Sequence, residues 1–140
     1  MDDTPDDNRG GTAPALLTLT ITQASGMYRI SSAGTTKYYL DLGSEHLVVR
    51  ACGAGSGRFP FDNEWSTLLS VSSYNLSTRH LDHGTIRVGE RPRYTFDPGP
   101  TWPDHEWRWQ RIVESIELLP PHEAATTRTQ FPRALQGGPA

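Results

Sequence analysis

The chain has a single cysteine, a single lysine and no apolar run approaching the roughly 20 residues of a membrane-spanning helix. One cysteine, Cys52, excludes an internal disulfide framework and a multi-cysteine zinc site. The opening Met1-Asp2-Asp3-Thr4-Pro5-Asp6-Asp7 is acidic, whereas a secretory signal begins with a basic and then an apolar segment, so a cytoplasmic location is expected. Basic excess is missing too: 13 Lys and Arg against 16 Asp and Glu give −3, without the global positive field of a nucleic-acid coat protein. Arginine supplies 12 of the 13 cations, which reads as high-GC coding bias. Apolar residues are 35%, below the globular average of about 45–50%. In 140 residues that supports one small core and one domain.

What is present is period-two alternation. Leu17, Leu19 and Ile21 interleave with threonines; Tyr28 and Ile30 alternate with Arg29 and Ser31; Tyr38, Leu40 and Leu42 alternate with Tyr39 and Asp41. Leu47, Val49 and Ala51 follow after Gly43-Ser44. Turns every eight to ten residues predict an antiparallel meander. Further strand signals lie at Leu68-Leu69-Ser70-Val71, along Ile86, Val88, Tyr94 and Phe96, and at 109–118. In that last stretch Ile112, Ile116 and Leu118 share one parity, Trp109 and Val113 the other, which predicts a central strand or a bulge near Gln110. Helix signals are weak. The expected fold is all-β: a small antiparallel barrel or sandwich of about seven short strands with flexible termini. The expected organisation is an acidic disordered tail at 1–14, one β domain at 15–119, and a Pro/Gly-rich disordered tail at 120–140 that only Phe131 and Leu135 could anchor.

Bare motifs with catalytic overtones have ordinary explanations. Gly53-Ala54-Gly55-Ser56-Gly57 lacks the Lys-Ser/Thr ending of a phosphate loop and is followed by Phe59-Pro60-Phe61, so it reads as a sterically permissive connection. His80 and His83, with His105-Glu106 downstream, have the letters of a metal site but sit beside Gly84 at what reads as a hairpin tip. No catalytic residue, metal ligand or cofactor is assigned. Binding candidates are sharper. Arg87, Arg91 and Arg93 share parity and would line one strand face if the chain ran straight through Gly89. The ordinary reading of that face is pairing with Glu114 and Glu117 across the sheet. The loop Pro98–Trp109 holds three of the four tryptophans, with Trp102 set between prolines as a docking side chain and Trp107 and Trp109 expected to pack inward. Trp102, Trp107, Arg87, Arg91 and Arg93 are therefore the candidate partner-binding residues.

The order Tyr28-Arg29-Ile30 … Tyr38-Tyr39-Leu40-Asp41-Leu42, then Asp62-Asn63-Glu64 with Leu68-Leu69-Ser70-Val71, Val88-Gly89-Glu90-Arg91-Pro92 and Val113-Glu114-Ser115-Ile116-Glu117, resembles a group of small β-domain proteins of high-GC bacteria and their phages. The resemblance spans residues 27–118 and implies a β fold and a phage or prophage setting, but no activity. Three function classes follow: a non-catalytic accessory module that binds a protein partner, a phage particle subunit that self-assembles, and a metal-dependent hydrolase using the His80/His83 region. Nucleic acid on the Arg87/Arg91/Arg93 face ranks behind protein as a partner, and no membrane partner is expected.

Overall fold

The predicted alternation becomes antiparallel β-structure in the computed structural model, which describes residues 15–134. The expected acidic tail 1–14 and residues 135–140 lie outside the described residues. Eleven short strands form: β1 (Ala15–Leu16), β2 (Thr18–Thr20), β3 (Met27–Ser31), β4 (Lys37–Leu42), β5 (His46–Ala51), β6 (Ser66–Tyr74), β7 (Leu81–His83), β8 (Thr85–Arg87), β9 (Arg91–Asp97), β10 (Glu106–Trp109) and β11 (Ser115–Leu118). One helix, α1 (Pro121–Gln130), follows them. The main sheet has the order β1-β11-β3-β4-β5-β6-β9-β10, with β7 added beside β6; β2 and β8 form a separate ribbon. The architecture is all-β and sandwich-like, and the sheet does not close into a barrel.

The inner face of the sheet wraps one core. Ile30, Leu40, Ile86, Tyr94 and Ile116 are fully buried there, and the β2–β8 ribbon contributes Leu19 and Ile86. Tyr38 of β4 stacks on Tyr94 of β9 with ring centroids 4.5 Å apart, tying together strands that are not neighbours in the sheet. The Tyr94 hydroxyl donates to Gln110 Oε1, and Gln110 Nε2 donates to the Ile30 carbonyl.

The strands β3, β4 and β5 bury their outer face as well. Met27, Val49 and Leu119 pack there with Trp65, Ala124 and Phe131. Leu47, Val49 and Ala51 thus point to this second cluster, while Val48 enters the main core. Arg29 to Glu123 at 2.8 Å and Arg128 to Asp41 at 2.9 Å fasten the helix over it, and Trp65 Nε1 donates to the Arg128 carbonyl.

Four expectations are corrected. Residues 120–134 are not a tail: α1 and the 9%-exposed Phe131 complete the second cluster, and Trp65 bridges to Arg133. The alternation of Leu17, Leu19 and Ile21 does not make one strand: the chain breaks at Leu17, which is 76% exposed, and only Leu19 and Ile21 of the three are buried. The stretch 109–118 is broken between β10 and β11, so Val113 and Ile116 go inward while Ile112 and Leu118 are exposed. Finally, Arg87 and Arg91 do not share a strand: the chain turns at Gly89, where φ is +91°, a backbone state natural to glycine.

Candidate functional site

Helix α1 covers the outer face of β3–β5 only. The outer face of β6–β9–β10 is bare, and its composition follows from strand register. Along β9 the side chains alternate, with Pro92, Tyr94 and Phe96 buried and Arg91, Arg93 and Thr95 outward. Directly opposite on β10, Trp109 faces Arg93 and Trp107 faces Thr95. On β6, Ser70, Ser72 and Tyr74 face Thr95, Arg93 and Arg91. Ser72 is buried and bonded to His83, so what this face offers is a patch of indole, phenol and guanidinium groups around Trp107, Trp109, Tyr74, Arg91 and Arg93. Arg91 and Arg93 lie 5.3 and 5.5 Å from the Trp109 ring centroid, and Tyr74 meets that ring edge-on. Neither arginine has a carboxylate within ion-pair distance among the described residues. Glu117 is engaged by Arg29 instead. Trp107, on the end strand of the sheet, is 58% exposed.

The other sequence candidates sit elsewhere. Arg87 pairs with Asp82 and approaches Glu90 at 3.8 Å, and its hydrogen bond holds the Asp82 carboxyl below the usual carboxylate range. It does not join the Arg91/Arg93 face. Trp102 is 41% exposed but leans edge-on against Phe61 at 5.2 Å, and its Nε1 donates to Glu106. Trp107 and Trp109, both expected to pack inward, lie on the outer face instead; Trp107 is the more available ring and Trp109 is half-buried. His83 Nδ1 lies 2.7 Å from Ser72 Oγ, His80 is exposed, and no three His, Cys, Asp or Glu gather into a ligand set among the described residues.

Beside the bare face, at one end of the curled sheet, opens a cleft of about 580 Å³. Three separate segments build it: the β3–β4 turn, the glycine-rich connection after β5, and the break after β10. Gly53 is required where the first two meet, because a Cβ there would sit 2.3 Å from Thr35 Oγ1 and 2.4 Å from the Thr35 backbone carbonyl carbon. Thr36 and Ser56 hydroxyls bond at 2.6 Å across the same junction. Arg50, Arg91 and Arg111 line the cleft, and no carboxylate does. Arg50 is paired with Asp62 and lies over Phe59. Glu114 borders an adjoining shallow hollow with Arg91 and Arg111, with no ion pair to either. Tyr38 sits at the floor; burial pushes its phenol up to about 12, partly offset by the charges of Arg50 and Arg108. Sequence reasoning missed Arg50 and Arg111, since nothing local marks residues drawn together from distant segments.

No helix among the described residues is long and apolar enough to cross a membrane. No known family, curated protein or solved structure matches the chain.

Proposed function

We propose that the protein is a non-catalytic binding module that docks a protein partner on the bare outer face of β6–β9–β10, as an accessory protein in a phage or prophage setting. The phage setting rests on the sequence resemblance alone. The docking face rests on one observation: the helix packs on the outer face of β3–β5, and the outer face of β9–β10 beyond it carries exposed Trp107 next to Trp109, whose ring is flanked by Arg91 and Arg93, neither with a carboxylate partner among the described residues. Exposed aromatic and arginine side chains concentrate interface energy, and unpaired guanidinium forks suit carboxylates on the partner. The end strand β10 adds unpaired backbone groups along the same border.

Affinity capture with wild-type protein and two variants tests this. Trp107→Ala should weaken the captured complex about 30-fold, the equivalent of a 2 kcal/mol anchor. Leu17→Ala, an exposed apolar residue outside this face, should leave it unchanged. Equal capture by Trp107→Ala overturns the assignment. If light scattering shows that the partner is a second copy of the chain, the particle-subunit reading replaces the accessory one. If the captured partner is single-stranded nucleic acid, the same aromatic and arginine face is reassigned to it.

A further inference from the structure

We propose that the cleft beside the bare face binds a small phosphorylated ligand with a planar ring, a nucleotide by chemical class. Charge is the first argument. The chain is acidic at −3, yet the cleft lining contains three arginines and no carboxylate; Arg50 is compensated by Asp62 outside the lining, which leaves Arg91 and Arg111 as its unbalanced charges. A recess lined by one sign of charge focuses the field and concentrates counter-ions. Arg111 is exposed and unpaired among the described residues, and Arg91 commits only its Nε, to the Gln110 carbonyl at 3.0 Å. Both therefore retain guanidinium donors for phosphate oxygens.

The glycine-rich connection supplies the second argument. The amides of Ala54, Gly55 and Gly57 meet no acceptor among the described residues, and all three residues line the cleft. Gly55 has φ of +81°, in the left-handed region where successive amides form anion-binding concavities. A third observation is independent of charge. The Tyr38 hydroxyl is buried, its residue only 3% exposed, and it lines this cleft with no hydrogen bond of ordinary geometry, although the Arg50 guanidinium is near enough to act on it. Unpartnered buried hydroxyls are uncommon and costly, and a ligand group reaching the floor would satisfy it.

Size and shape distinguish a nucleotide from a bare anion. About 580 Å³ lies within the range of small-molecule sites and far exceeds what one phosphate fills. Trp109 and Phe59 line the same cleft with guanidinium groups already against their rings, Arg91 and Arg93 at Trp109 and Arg50 and Arg108 at Phe59, so a planar base would extend a ring–guanidinium stack.

The test is titration of the purified full chain with adenosine monophosphate, adenosine, inorganic phosphate and a short single-stranded DNA, read by tryptophan fluorescence and calorimetry. The monophosphate should bind at least about tenfold more tightly than adenosine or phosphate alone, since one charge-assisted contact is worth roughly that factor. Arg111→Ala should weaken it about tenfold. Gly57→Glu should abolish it with an unchanged melting temperature, because a Cβ at Gly57 meets nothing within 4 Å and the carboxylate would occupy the recess. Trp107→Ala should bind as wild type does, which separates this site from the docking face. The proposal is overturned if the monophosphate does not bind, if it binds no better than adenosine, or if both cleft variants bind it as wild type does. Binding of the DNA without the monophosphate also overturns it and assigns the arginines to a polymer.

Discussion

The buried hydroxyl of Tyr94 donates to Oε1 of Gln110 at 2.7 Å, and this contact ties the core to the break between β10 and β11. Gln110 is 4% exposed and also bonds the Ile30 carbonyl. Gln110→Leu would strand the Tyr94 phenol, while the Ile30 carbonyl keeps its place in the β3–β4 ladder. It should cost about 1–3 kcal/mol, the range for one orphaned buried group. Urea unfolding measures it, and an unchanged midpoint would show that the break is held by something else.

Leu40 is fully buried at the centre of the β3–β4 hairpin, opposite Tyr28 and Val48. Leu40→Ala should cost about 2–5 kcal/mol. A thermal melt indistinguishable from wild type would contradict the register described.

The C-terminal helix contributes to stability. Phe131→Ala should cost about 3–5 kcal/mol, since its ring packs on Tyr39 and Trp65. Ending the chain at 120 should expose Met27, Val49 and Trp65 and lower the melting temperature further. A truncated chain as stable as the full one would return 120–134 to the status of a tail.

Trp109→Ala should lower stability by roughly 3 kcal/mol, the low end for an aromatic truncation, because the ring is only half-buried against Tyr74, Arg91 and Arg93. Trp107→Ala should leave the melt unchanged. Paired scans of the two variants check the contrast; equal destabilisation would mean that Trp107 is part of the fold.

Alkaline pH gives a further readout. Burial raises the phenols of Tyr38, to about 12, and Tyr94 above their usual value near 10. Each prefers the protonated form in the fold more than in the unfolded chain. Their contribution is complete below pH 10 and is lost as pH rises through the folded values, so stability should fall from about pH 10 upward. Tyrosinate absorbance should rise in step with unfolding. Ionisation of all five tyrosines without loss of structure would contradict the burial.

The hairpin of β3 and β4 was legible because its alternation is strict and both faces carry the side chains that alternation demands. Helix α1 was not, because Pro-His-Glu-Ala-Ala-Thr-Thr-Arg-Thr-Gln has almost no apolar stripe and buries only Ala124 and Thr127. Its signals were terminal instead: Pro121 at the first helical position, Glu123 in the first turn and Arg128 in the last. The arginine face was half legible. Arg91 and Arg93 follow strand parity, but the turn at Gly89 removes Arg87, and parity cannot be counted across a positive-φ glycine. The cleft was invisible in the chain order because it joins three segments that only the curl of the sheet brings together.

The pairing of β11 between β1 and β3 has a kinetic consequence for synthesis. Ile116 lies opposite both Leu16 and Ile30, so residues from the first quarter of the chain wait for its last quarter. While a ribosome is still extending the chain, β3 can zip to β4 and β4 to β5, but the other edge of β3 stays open until residue 118 has emerged. Closing so distant a contact is slow, and an uncovered strand edge is a template for pairing with another nascent chain. The vulnerable species in the cell is therefore the unfinished meander, and its exposure time is set by translation beyond Leu42.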